Sequence, residues 1–238
     1  GIQVNTDKAG DGNLSTTQVL LSVAYHRKLK KDSTLLLSLG SQCGFTQNKV
    51  DFNRFYFDNQ FQNGMFVSDY ATGEIGTLTD NNLFYFDCNL GASVYAQIAK
   101  TPFWIGGSLL HLNKPKRSFM GNHQIDLNQH FSFYAKSMIG INQKLTFIPS
   151  ILYMKQGRFS EFDLGGLVRY ALPDINFRYF YIGGWYRIND AINLKTGVDY
   201  RDIHIGLSYD INISKLSEAT HGKGGVELAL IYVWGREV

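Results

Sequence analysis

Between residues 203 and 213 the chain reads I-H-I-G-L-S-Y-D-I-N-I, apolar at every odd position and polar or glycine between. Period-two alternation places one face of a β-strand in an apolar medium and the other against polar groups or water. Strands of soluble sheets are commonly about half this length. A tilted strand of about 9–11 residues crosses the hydrocarbon of a bilayer.

The pattern recurs along most of the chain. Phe84, Phe86, Cys88, Leu90, Ala92, Val94, Ala96 and Ile98 share one phase, opposite Tyr85, Asp87, Asn89, Gly91, Ser93, Tyr95 and Gln97. Further alternating segments carry Val19, Leu21 and Val23, then Leu35, Leu37 and Leu39, then Phe131, Phe133 and Ala135. Two more are marked by Ile192, Leu194 and Val198, and by Val226, Leu228, Leu230, Tyr232 and Trp234. No stretch keeps a helical period. The chain reads as all-β.

The length of 238 residues suits one domain, 1–238. Tyr and Phe total 31 against four Pro, a mix suited to long strands. No apolar run reaches the ~18 residues of a membrane-crossing helix. A mean hydropathy of −0.16 is compatible with membrane strands, because each lipid-facing residue alternates with a lumen residue. The net charge of +3 is small and scattered; Lys28, Lys30 and Lys31 read as a solvated turn, and no nucleic-acid patch is expected. Cys43 and Cys88 both fall in the apolar phase and read as small lipid-facing residues, with neither a disulfide nor a metal pair expected. Residues 1–5 read as strand, without a basic-then-apolar leader. The chain therefore reads as a mature product, or an N-terminally incomplete piece of one.

Connections of two kinds alternate. Short ones fall near 30–32, 100–102, 142–144, 172–174 and 201–202. Longer ones fall at 6–15, 47–82, 114–128, 156–161 and 215–223, with a tight exception at 189–190. Short periplasmic turns against long extracellular loops mark outer-membrane β-barrels. The expectation is a transmembrane antiparallel β-barrel with about twelve strands in this chain. The 47–82 and 114–128 loops should share one rim, with Lys30, Lys31 and Pro173 on the other and the C-terminus in the periplasm. Tyr25, Tyr170, Trp185, Tyr186, Tyr200, Tyr209 and Trp234 fall near strand ends as girdle residues would. Pro149 sits in an apolar phase, where it removes a ladder donor, so a bulge is expected there.

No catalytic, cofactor or metal site emerges. His204 and Ser208 share a strand phase but lie ~13 Å apart along it. A nucleophile and its base need roughly 3 Å, so both read as part of a polar lumen row. His111, His123, His130 and His221 read as solvated loop histidines, without metal-ligand spacing. Residues 222–225 do not join a strand to a helix, which excludes a phosphate loop. The expected lumen row mixes Asp87, Lys136, Asp163, Arg169, Arg178, Lys195, Asp199, Asp202, Asp210 and Glu227. Such a row suits either a wet pore or a salt-bridged, closed interior.

The 47–82 loop is different in kind. It holds Phe52, Phe55, Tyr56, Phe57, Phe61, Phe66 and Tyr70 among Asp51, Asp58 and Asp69. Two readings stand: a plug folded over the barrel mouth, or an aromatic docking surface for a protein partner. The candidate protein-binding residues are Phe55, Tyr56, Phe57, Phe61 and Phe66, with Phe119 from the next long loop.

Several motifs then occur in order: Asp7-Lys8-Ala9-Gly10-Asp11 with Leu14-Ser15-Thr16-Thr17-Gln18, Phe57-Asp58-Asn59-Gln60-Phe61, and His111-Leu112-Asn113-Lys114-Pro115. Pro149-Ser150-Ile151-Leu152-Tyr153, Gly184-Trp185-Tyr186-Arg187 with Asp190-Ala191, Gly206-Leu207-Ser208-Tyr209-Asp210 and Ser214-Lys215-Leu216 follow. Over essentially its whole length the chain resembles the PorP/SprF family of outer-membrane proteins of the type IX secretion system. The resemblance implies a further N-terminal segment and a complete barrel of about fourteen strands. It also implies a non-enzymatic protein that docks or anchors secreted cargo with C-terminal sorting domains, gliding adhesins among them, or other secretion-system subunits. The partners expected are outer-membrane lipid and such proteins, with no cofactor. A passive pore for small solutes is the alternative. The family supplies no ligand residues that carry over position by position.

Overall fold

The computed structural model describes residues 1–30, 34–62, 64–67, 70, 81–119, 125–215, 217–218 and 222–234. Fifteen strands are named in chain order. The first eight are β1 Ile2–Ala9, β2 Leu14–Lys28, β3 Leu35–Lys49, β4 Phe61–Gln62, β5 Met65–Phe66, β6 Asn82–Ile98, β7 Thr101–Leu110 and β8 His130–Ser137. They continue as β9 Ile139–Gly140, β10 Leu145–Gln156, β11 Phe159–Ala171, β12 Phe177–Arg187, β13 Ala191–Tyr200, β14 Ile203–Asn212 and β15 Lys223–Tyr232. One sheet runs β1-β2-β3-β6-β7-β8-β10-β11-β12-β13-β14-β15, with β9 beside β10; β4 and β5 form a separate hairpin. The strands are antiparallel, so the fold is the all-β sequential meander of the outer-membrane barrel type.

The burial pattern is inverted relative to a soluble protein. Thr46, Asn48, Asp87, Asn89, Ser137, Asp163 and Ser208 are buried. Leu90, Phe131, Ile205 and Leu207, on the other phase of the same strands or their neighbours, are exposed. Water-soluble folds bury the apolar face instead. The inversion suits strands whose outer face meets lipid and whose inner face packs polar groups.

The chain divides into two compact units. The first comprises Gly1–Tyr25, Leu39–Gly91 and Ser108–His130; the second comprises His26–Ser38, Ala92–Gly107 and Phe131–Val238. In the first, β1 and β2 pair from Ile2↔Leu21 to Ala9↔Leu14. Amides and hydroxyls cross its polar face. Gln18 Nε2 donates to Thr46 Oγ1 at 3.0 Å, Gln42 Nε2 to Gln3 Oε1 at 3.0 Å, and Asn89 Nδ2 to Gln42 Oε1 at 3.2 Å. In the second, β10 to β15 pair in unbroken succession.

Several expectations are corrected. Cys43 and Cys88 do lie in the apolar phase, but they form a disulfide with Cα atoms 4.3 Å apart. Strands β3 and β6 bring them opposite each other at the close spacing of a non-hydrogen-bonded antiparallel pair. The connections at 6–15 and 156–161 are tight hairpins, because the flanking strands run on through polar residues to Ala9 and Leu14, and to Gln156 and Phe159. Pro149 causes no bulge in the β10–β11 ladder, which passes through Pro149↔Gly166 without a shift. Register shifts fall instead between Phe177 and Tyr179 and between Tyr209 and Ile211. Trp185 is not a girdle residue. Its neighbour Tyr186 takes the exposed face, which sends the indole to the polar face, where Nε1 donates to Ser150 Oγ at 2.7 Å. Lys31, His123 and His221 lie outside the described residues.

Candidate functional site

The connection between β3 and β6 is the most elaborate part of the first unit. Its base closes where Val50 N–H donates to the Asn81 carbonyl at 3.0 Å. Next, Asp51 N–H donates to the Gly12 carbonyl in the β1–β2 turn at 2.8 Å. A 3-10 turn follows at Phe52–Arg54, with Arg54 Nε 3.2 Å from Asp51 Oδ2. A second turn, Asp58–Gln60, is closed from both sides: Gln60 N–H donates to the Phe57 carbonyl at 2.9 Å, and Phe57 N–H to Gln60 Oε1 at 3.1 Å. The buried Gln60 also receives Val67 N–H on its carbonyl at 2.9 Å. That pins the β4–β5 hairpin, where Phe61 faces Phe66 and Gly64 turns the chain at φ +78°.

This backbone sorts the aromatic residues into two groups. The inner group is a chain of half-buried rings: Phe119 meets Phe52 edge-on at 6.2 Å, Phe52 lies 6.0 Å from Phe55, and Phe55 meets Phe57 edge-on at 6.3 Å. The outer group is a contiguous exposed patch. Tyr56 meets Phe66 edge-on at 4.8 Å, and Phe61 lies 5.5 Å from Phe66. Tyr56 is 69 % exposed, Phe61 52 %, Phe66 40 % and the adjacent Met65 69 %. Of the six residues singled out in the sequence, Phe55, Phe57 and Phe119 therefore belong to the packed group and Tyr56, Phe61 and Phe66 to the exposed one. Helical or strand periodicity could not separate them, because the sorting depends on the two 3-10 turns.

The neighbouring long loop is rooted by His111, which the sequence alone places in solvent, and by Asn113. His111 is not a solvated loop histidine: its Nδ1 lies 2.7 Å from Oδ2 of the fully buried Asp87. Its backbone N–H donates to Asn89 Oδ1 at 3.0 Å, which holds the residue at φ +59°. Two residues on, the Asn113 amide completes the edge of β6. Its Oδ1 accepts from Cys88 N–H at 3.1 Å, and its Nδ2 donates to the Phe86 carbonyl at 2.7 Å. The loop then forms an antiparallel bridge, Lys116↔Asp126. His130 opens β8 and is half-buried, also unlike a solvated loop residue.

The second unit carries a separate polar network. Arg187 lies 3.0 Å from Glu161, 3.3 Å from Asp163, 3.4 Å from Asp190 and 3.7 Å from Asp210. Asp199 takes His204 Nδ1 at 2.6 Å and the Tyr181 hydroxyl at 2.7 Å. Ser208 pairs instead with Glu227, its Oγ donating at 3.2 Å. His204 and Ser208 thus have different partners on different strands, and no nucleophile–base pair forms between them. Arg178 and Asp202, expected in the same interior row, are exposed beside the 201–202 turn, 3.7 Å apart.

Residues 1–232 match the sequence profile of the type IX secretion system membrane protein PorP/SprF, and the chain belongs to that family. No curated protein matches it.

Proposed function

Taking membership of the PorP/SprF family as the premise, we propose that this protein is a non-enzymatic outer-membrane β-barrel that docks secreted cargo, or another secretion-system subunit, at the cell surface. The observation that carries the reading is the exposed patch of Tyr56, Phe61 and Phe66 on the longest connection of the sheet. Burying a large aromatic side chain is worth about 1.5–3 kcal/mol, and rings of this kind concentrate binding energy in protein interfaces. A loop that served only to plug an interior would bury these rings. The Cys43–Cys88 disulfide suits a protein matured in an oxidising compartment such as the periplasm.

The test is the triple variant Tyr56→Ser, Phe61→Ser, Phe66→Ser. It leaves the strand ladder and the lipid-facing residues untouched, so heat-modifiable assembly in the outer membrane should match wild type. Surface retention of a secreted protein with a C-terminal sorting domain should fall strongly. Wild-type retention by an assembled triple variant would refute docking through this patch. Loss of assembly would point to a plug.

A further inference from the structure

The patch can work only if the loop that carries it is held in place, and one glycine has no other evident reason to be glycine. Gly12 lies in the β1–β2 turn outside the left-handed backbone region, so its conformation does not demand glycine. What an added side chain would displace is the Phe55 ring: a Cβ on Gly12 would sit 2.5 Å from its Cζ and closer still to its Cε1. The same glycine accepts the Asp51 hydrogen bond, so the loop is tied to this turn by one backbone bond and one ring face.

We propose that Gly12 is a positioning residue for the docking surface: it forms the seat for Phe55, and through Phe55 fixes the adjacent Tyr56 and its contact with Phe66. The inference rests on the docking reading and adds the element that orients it. Phe57, Phe52 and Phe119 extend the seat inward, so displacing the Phe55 ring disturbs both long loops at their shared contact.

The probe is trypsin acting on intact cells, read by mass spectrometry as the cleavage rate after Arg54, which precedes the seated ring and is exposed. Gly12→Ala should accelerate that cleavage about tenfold, since an added methyl in a filled contact shifts a local opening equilibrium by this order. Phe55→Ala should accelerate it comparably. In the double variant, Gly12→Ala should add nothing, because the ring it collides with is gone. Heat-modifiable assembly should be unchanged throughout, and cargo retention should fall with Gly12→Ala. Wild-type cleavage in Gly12→Ala, or in Phe55→Ala should Gly12→Ala fail to assemble, would overturn the seat. So would a Gly12→Ala effect that persists undiminished without Phe55. None of the cleavage results touches the docking reading, which fails separately if the Tyr56, Phe61, Phe66 triple variant keeps its cargo.

Discussion

Leu207 and Ser208 are chain neighbours with opposite surroundings. Leu207 is 47 % exposed on the apolar face, opposite Thr196 and Leu228, whereas Ser208 is 9 % exposed and hydrogen-bonded to Glu227. Leu207→Arg should cost about 2–4 kcal/mol of folding stability in a bilayer, and Ser208→Arg, placed beside a carboxylate, clearly less. Urea titration of refolding into vesicles measures both; equal losses would invert the assignment of faces. Arg187 is the second test at this scale. It is the shared cation of Glu161, Asp163, Asp190 and Asp210, and Arg187→Met strands those carboxylates together. Because Arg187 is partly exposed, the expected loss is about 2–3 kcal/mol rather than the larger cost of a fully buried orphan. The same titration reads it, and an unchanged midpoint would contradict the hub. Neither the Arg187 hub nor the Cys43–Cys88 disulfide was legible in the sequence. Both join residues on different strands, and alternation reveals a residue's face but not the partner that register sets opposite it.

Among the elements, the β11–β12 turn offers a pH test. Asp174 Oδ1 accepts N–H bonds from Asn176 at 2.7 Å and Phe177 at 2.9 Å. These two donors, Phe177 first, hold its carboxyl below the ordinary value of 3.8. A lowered folded value means the ionised form favours the folded turn. The contribution is present above the ordinary range and is lost as the pH falls through the depressed value. Hydrogen exchange at Asn176 and Phe177 should therefore stay slow, relative to unstructured amides, until the pH drops below 3.8. In Asp174→Asn, whose side-chain carbonyl keeps both bonds, that pH dependence should disappear. Loss of protection already at higher pH would contradict the assignment. Strand identity was legible wherever an apolar face alternates with a polar one, as from Phe84 to Ile98. Strand ends were not, because β1, β2, β10 and β11 continue through polar residues where no apolar phase marks them. Trp185 departs from expectation for a related reason: aromatic character points to a membrane interface, but the parity of Tyr186 decides its face.

On the scale of the whole molecule, the fold class and the family follow from repeated alternation and ordered motifs, and both hold: an all-β antiparallel meander within the PorP/SprF family. The aromatic loop was legible as unusual, but its division into a packed chain and an exposed patch depends on turns that no periodicity announces. The docking proposal requires the exposed rings to contact a secreted protein or another secretion-system subunit in the living cell. Photo-crosslinking from a reactive phenylalanine analogue at position 61 or 66 tests it most directly, with Phe159, exposed at the tight β10–β11 hairpin, as the control position. A protein adduct is expected from 61 and from 66, identified by mass spectrometry as a secreted sorting-domain protein or a secretion-system subunit, and none from 159. Adducts that are absent, or the same from all three positions, would contradict it.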